Sequence, residues 1–505
     1  MVIVSCCRRR ATERLCARIP IPVLAVGTFA VLAVASPEGH RWTAGGTGQP
    51  AEGRPAAGIA RSYEAQAKRI LDAALAGNDA YRKLEELCDD IGNRFSGSQN
   101  LDRAIVWAVE TLRRDGHENV HSETVMVPKW VRGRESLELI EPQRQPVPML
   151  GLGGSVGTPP EGITAPVVAV FDEQELERLG KQVRGKIVLF DHPMSSENEQ
   201  HGAGYGSAVR FRGAGARLAA KYGAVAALVR SVTTRSLQSP HTGGMGYGDA
   251  EAKIPAAAIS TEFAAKITRL QKRGIPVTVT LKMEAKLHDE PVESANVIAE
   301  LRGRERPEEV VVVGGHIDSW DVGQGAHDDG AGCVTAMEAL KVLRKLDLRP
   351  RRTIRVVLWT NEENGLAGGR TYAKDHEDEL PRHVAAIEAD SGGFRPLGFG
   401  ITLADETAQK IATEQLREIL TLLEPIGATA VQVGHGGADI GPLRPAGVPC
   451  LGLSVDMTHY FDVHHTHADT LDKVDPQDLS KDVAAMAVVA YVLADMPGRL
   501  GQPVE

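Results

Sequence analysis

The sequence predicts an α/β fold: a mostly parallel, mixed sheet covered by helices on both faces and interrupted by an inserted β-rich domain. Three observations predict it. From residue 296 onward, short β-branched runs alternate with stretches of helical spacing, the pattern of strand–helix–strand units. Between about Trp130 and Ala285 the texture changes to many short strands punctuated by Gly and Pro. Acids and histidines stand at the carboxyl ends of four later strands, where open α/β sheets place their sites.

In chain order, residues 1–35 carry five Arg and one Glu and end in an uncharged apolar run, Ile19–Ala35. Ala33-Val34-Ala35 fits the small-x-small pattern of a secretory cleavage site. The run is short for a membrane span and contains Pro20 and Pro22, so a signal peptide is expected ahead of an uncleaved N-terminal anchor. Residues 36–59, rich in Gly, Pro and Ala, read as a flexible linker. Helical spacing follows in AQAKRILDAAL, YRKLEELCDDIG and LDRAIVWAVETLRRDG, and Val120–Val127 reads as a strand. These form the first part of the main domain, residues 60–128.

Residues 129–288 are expected to form the insertion. VVAVF, KIVLF, AVAALV, IPAAAI and VTVTLKM are its strands, and GARLAAKYG and TEFAAKITRLQKRG its helices. It holds few clustered His or acidic residues, so a lid, specificity or scaffold role is expected. The main domain resumes over 289–500. Its strands are NVIAEL, VVVVGGHID, RTIRVVLWTNEE, HVAAIEADSGG and VPCLGLSVD. Helices are expected after Gly330, at GGRTYAKDH, at ADETAQKIATEQLREILTLL and at PQDLSKDVAAMAVVAYVLADM.

Composition narrows the class. With 42% hydrophobic and 24% charged residues the chain is an ordinary soluble globular protein. The net charge is −9, and the absence of a basic patch argues against a nucleic-acid partner. Of six cysteines, Cys6, Cys7 and Cys16 lie in the arm and Cys88, Cys333 and Cys450 are isolated. That spacing gives neither a disulfide framework nor a thiolate metal site.

The chemistry concentrates in Val311–Gly332, VVVGGHIDSWDVGQGAHDDGAG. His316 and Asp318 close a strand, and Asp328 and Asp329 follow a Gly-rich loop. Glu362 and Glu363 end the next strand and Asp390 the one after. HYFDVHHTHADT brings His459, His464, His465 and His467. Singly each is ordinary: Asp-Asp-Gly makes turns, and Glu-Glu is common on solvated faces. Together, at four strand ends, they point to a metal centre. Imidazole plus carboxylate without thiolate suits zinc or a similar divalent ion. A bridging carboxylate would hold two ions about 3.5–4 Å apart around one water. In an adjacent Glu pair, one carboxylate can serve a metal while the other handles the proton.

GGHIDSWDVGQGAHDDGAG, WTNEENGLAGG, EADSGG, GHGGADIGPL and HHTHADT, spread over Gly314–Thr470, resemble the di-zinc aminopeptidase and glutamate carboxypeptidase family. The resemblance implies a zinc-peptidase fold, with the insertion standing where relatives carry a protease-associated-like domain. It makes His316 and Asp390 ligands of one metal, Asp328 the bridge, and Glu363 and His465 ligands of the second. Glu362 becomes the general acid/base. Asp318 and Asp329 become supporting residues, with Asp318 orienting His316 and a cis peptide joining Asp328 to Asp329. His465 is chosen because it heads the His-Thr-x-x-Asp-Thr pattern; His464 and His467 stay open as substrate contacts or supports, and His327 is read as packing.

His435, Asp439 and Tyr460 are expected to line the substrate pocket, with Tyr460 a donor to the oxyanion. The implied activity is that of a secreted or periplasmic exopeptidase acting on short peptides, as an aminopeptidase, carboxypeptidase or dipeptidase. The implied cofactors are two divalent ions, zinc foremost, with cobalt and manganese also fitting the ligands. A homodimer is implied, and membrane attachment only through an uncleaved arm. Two other readings stay open: a single-zinc glutaminyl cyclase and a non-catalytic receptor-like homologue.

Overall fold

The structure, a computed structural model, describes residues 58–503. The predicted signal segment, and the predicted linker up to residue 57, lie outside the described residues.

One mixed sheet of eight strands organises the main domain. In spatial order it runs Glu118–Val127, Val292–Leu301, Arg352–Trp359, Arg306–His316, His383–Glu388, Cys450–Val455, Pro396–Thr402 and Ala430–Val433. The four central strands, from Arg352–Trp359 to Cys450–Val455, are mutually parallel, so their carboxyl ends share one edge. Strands buried on both faces read as continuous apolar runs. Every residue of Arg352–Trp359 and of His383–Glu388 is buried.

Helices Ala331–Lys345 and Pro476–Asp495 pack against each other and against the sheet. The second has Pro476 at its first position, and Asp475 caps it by accepting from Gln477 N–H. Apart from Lys481, its residues from Leu479 to Asp495 are all buried, as expected of a helix that is apolar nearly all round.

The insertion follows from strand pairing. Glu118–Val127 and Val292–Leu301 are antiparallel neighbours, with Val127 opposite Val292, so the chain leaves and re-enters the sheet at one place. A second eight-stranded sheet lies wholly between Glu135 and Met283, with four parallel strands at its middle. Its five expected strands form. Three others, Glu135–Glu141, Gln145–Val147 and Met149–Gly151, were not foreseen. The first carries three Glu, a residue depleted in strands, and the others have only three residues each. Pro396–Thr402 and Ala430–Val433 of the main sheet were missed as well; Gly398 and Gly400 weaken the first signal.

Arg94, from the turn ahead of helix Gln99–Arg114, is fully buried. Its guanidinium donates to the carbonyls of Gly92, Ile317, Gln324 and Gly325 at 2.7–3.0 Å, and its N–H donates to Ser319 Oγ at 2.9 Å. One cation thus fixes both ends of the Gly-rich loop that follows His316. Replacing it by Met would leave those carbonyls without donors, at about 1–3 kcal/mol each. Arg94→Met is therefore expected to lower the thermal unfolding midpoint by several degrees, as read by circular dichroism; an unchanged midpoint would contradict this role.

Candidate metal centre

The parallel strands deliver the expected residues to one spot. His316 ends its strand, Glu362 and Glu363 follow Trp359, Asp390 follows Glu388, and His464 and His465 lie on the turn beyond Val455. His316 Nε2 stands 3.2 Å from Asp328 Oδ1 and 3.4 Å from Asp390 Oδ1. On the other side, His465 Nε2 stands 3.2 Å from Asp328 Oδ2 and 3.1 Å from Glu363 Oε2. Asp328 therefore turns one oxygen to each imidazole. His316, Asp328, Glu363, His464 and His465 are buried, and Glu362 and Asp390 are half-buried.

The donor set fits a divalent ion of the zinc class. His316 Nε2, Asp328 Oδ2 and Glu363 Oε1 are buried with no hydrogen-bond partner, although buried polar atoms are normally satisfied. Nitrogen and oxygen donors converge there, and His316, Asp328 and Glu363 each offer an atom within 4.8 Å of the others. At the same separation Asp328 lies with His464 and His465, and His316 with Asp329 and Asp390. His464 stacks on His465 at 3.6 Å between ring centroids. The Asp329 carboxylate is occupied by backbone, accepting from His316 N at 3.0 Å and Gly332 N at 3.1 Å. The Asp328–Asp329 peptide is cis.

Asp318 meets the His316 ring through its backbone. The neighbour of His316 Nδ1 is Asp318's backbone carbonyl at 3.0 Å, while its carboxylate stands 3.7 Å away, too far for a hydrogen bond. That carboxylate instead accepts from Glu362 N–H at 3.0 Å and from Ser96 Oγ at 3.3 Å. It holds the backbone of Glu362.

The loop joining His316 to Asp328 turns back at Gly323 and Gly325, with φ of +67° and +61°. A side chain is strained there, and a Cβ on Gly325 would run into Ser319. Asp469 then fixes the far end, accepting from His327 N–H at 2.7 Å and Asp328 N–H at 3.2 Å.

Electrostatics follow from burial. Burial pushes the Glu362 carboxyl well above the carboxylate range, and the charges of Asp390, Glu363 and Asp439 add to this. Burial also lifts Glu363 to about 7, with Asp328 contributing. Burial opposes ionisation of Asp328 too, but hydrogen bonds from His316 and His465 outweigh it and hold this carboxyl well below its usual range.

The substrate candidates separate. Tyr460 is buried, its ring 4.9 Å from that of His464 and 5.2 Å from that of Phe461. Asp439 is 1% exposed, and neither carboxylate oxygen has a hydrogen-bond partner. Its turn is held by Glu388, which accepts from the N–H groups of Ala438, Asp439 and Ile440 at 3.0–3.3 Å. His435 and His467 are exposed. His459 is paired with Asp462 at 2.9 Å, and His327 stacks flat on Phe394 at 4.1 Å.

Sequence reasoning missed Arg94, Glu388 and Asp469, and it missed Arg212 and Thr242 of the insertion, both of which touch His465. Asp469 was visible within the His-Thr-x-x-Asp-Thr pattern, and Glu388 lies two residues before Asp390. No spacing in the sequence links Arg212 or Thr242 to His465.

The family expected from the motifs is the one found. Residues 296–491 match Peptidase family M28, and residues 163–267 match the PA domain. Carboxypeptidase Q of Mus musculus is 43% identical over 438 residues, covering 86% of this chain and 90% of that protein. Carboxypeptidase Q of Homo sapiens is 43% identical over 434 residues, covering 85% and 89%. The crystal structure of a Peptidase M28 precursor from Shewanella amazonensis SB2B superposes with a TM-score of 0.83 at 36% identity, covering 88% of this chain and 99% of that one. BSAP, a zinc aminopeptidase from Bacillus subtilis, shares the fold with a TM-score of 0.59 at 20% identity, covering 84% and 96%. The chain is a metallopeptidase of Peptidase family M28 with an inserted PA domain.

Proposed function

We propose that this peptidase is an exported exopeptidase that cleaves short peptides, dipeptides among them, with two divalent ions, zinc foremost, in the centre around Asp328. The observation that carries this reading is Asp328 itself, with one oxygen facing His316 and Asp390 and the other facing His465 and Glu363. In this reading His316, Asp390 and Asp328 hold one ion, and Glu363, His465 and Asp328 the other. Bound there, the ions supply Lewis acidity that polarises the scissile carbonyl and makes water acidic enough to react near neutrality.

The chain's own residues do the rest. Glu362 takes the proton from the attacking water and returns it to the leaving amine. The Asp318 carboxylate anchors the Glu362 backbone. Asp329 fixes the backbone of His316. Tyr460 donates to the developing oxyanion, and His435 and Asp439 contact the peptide.

The domain limits proposed are 60–128 and 289–500 for the catalytic domain and 129–288 for the PA domain. Export rests on the signal-like segment 1–35. No helix among the described residues is long and apolar enough to cross a membrane, so attachment would rest on that segment uncleaved. The relatives named carboxypeptidase Q support a peptide substrate with a free carboxylate. A homodimer is part of the proposal.

A panel of dipeptides and of N- or C-blocked peptides, assayed with and without chelator, tests the activity. Release of an amino acid that chelator stops is expected; one ion per chain and a pyroglutamyl product would mark a cyclase instead, and an inert, metal-free protein a receptor-like homologue. Glu362→Gln is expected to lower kcat about 10²–10⁴-fold with metal content retained near two per chain. Full activity in that variant would refute the assignment. Asp469→Ala removes the acceptor for the N–H groups of His327 and Asp328 and so loosens the bridge. Metal affinity, read by chelator competition, should fall about 10–100-fold, and wild-type affinity would exclude this role.

A further inference from the structure

His465 is held from behind by the inserted PA domain. Its φ is +61°, a left-handed conformation uncommon outside glycine, which histidine adopts more readily than most residues. Thr242 meets it twice. Thr242 N–H donates to the His465 carbonyl at 3.0 Å, and the Thr242 carbonyl lies 3.2 Å from His465 Nδ1. A carbonyl only accepts, so this contact calls for a proton on Nδ1 and leaves Nε2, the nitrogen that faces Asp328 and Glu363, as the one free to ligate an ion.

Arg212, from helix Tyr205–Ala220 of the same domain, completes the arrangement. Its Nη1 donates to the same Thr242 carbonyl at 3.4 Å, which brings it within 3.3 Å of His465 Nδ1 without a bond between these two donors, while its Nη2 donates to Tyr205 Oη at 2.7 Å. Arg212 is 7% exposed, and no carboxylate among the described residues lies within ion-pair distance of it. Its Nε has no partner. Gly243, with φ +144°, leaves room for the guanidinium, which a Cβ there would strike. Thr242 is itself pinned, its hydroxyl donating to the Gly151 carbonyl at 2.7 Å.

We propose that Thr242 and Arg212 are positioning residues for the metal centre: the PA domain fixes the orientation and tautomer of His465, so affinity for the ion on the His465–Glu363 side depends on that domain. The inference rests on His465 being a metal ligand. Outer partners of metal-bound imidazoles are worth about 10–100-fold in affinity.

The test measures zinc affinity of the full chain by chelator competition, with KM and kcat on free and amidated dipeptides. Arg212→Met and, as a second variant that leaves the arginine in place, Gly243→Ala are expected to weaken one of the two ions about 10–100-fold and leave the other unchanged. Both should lower kcat on free and amidated peptides alike. Arg235→Ala breaks another contact between the domains, to Asp462 and the Thr458 carbonyl, and should leave zinc affinity at the wild-type level. Wild-type zinc affinity in both Arg212→Met and Gly243→Ala would overturn the inference. So would a loss confined to KM for free-carboxylate peptides, which would make Arg212 a substrate contact. A wild-type chain that binds no zinc would sink the proposed function instead.

Discussion

A single carboxylate shared between two imidazoles in a buried pocket is the constraint on which the rest of this molecule depends. Asp328 can face His316 and His465 at 3.2 Å each only if its backbone is held from several directions. The loop must reverse at Gly323 and Gly325, Arg94 must gather the carbonyls on either side of that reversal, and Asp469 must take the N–H groups at its end. Asp469 shows the cost of this arrangement. Burial lifts its carboxyl to about 7, despite the N–H groups of His327 and Asp328 working the other way. A buried acid spent on holding another acid is hard to explain as packing, and easy to explain if Asp328 must not move.

The same pocket concentrates like charge. Glu362, Glu363, Asp390 and Asp439 all have carboxyls raised by burial, with further upward pushes from one another or from Asp328 and Glu388. Buried carboxylates repel and are costly unless a cation offsets them. A divalent ion held by Glu363 or Asp390 together with Asp328 would relieve part of that repulsion, and metal binding would then add to the stability of this edge of the sheet.

What was legible in the sequence was whatever local pattern encodes. Val311–Val313 announces a strand, two glycines and His316 announce its end, and the neighbouring strands repeat the device at Glu362, Glu363 and Asp390. Roles that depend on three-dimensional choice were less legible. The sequence placed Asp318 beside His316 but could not tell whether its carboxylate or its own carbonyl would meet the ring, and the carbonyl does. The missed strands failed for a different reason: glycine, proline and glutamate dilute the alternation, and Pro396–Thr402 and Glu135–Glu141 find partners far along the chain, in Cys450–Val455 and Thr278–Met283.

The inserted domain was expected to act as lid, specificity element or scaffold, and its contacts favour scaffold. It hangs from two adjacent strand ends, and its Arg132 binds Asp321 of the Gly-rich loop at 2.5 and 2.8 Å. Its Gly153 lies so close to the Trp320 ring that no side chain would fit, and Tyr205 stacks on Phe461 at 5.2 Å. With Thr242 also bonded to both ends of His465, swinging the domain away would break contacts to the loop that bears Asp328 and to the turn that bears His465. A lid that opened there would disturb the centre it was meant to cover. Glu199–His201 of the insertion also packs against Met457–His459, the segment just before the turn that bears His465.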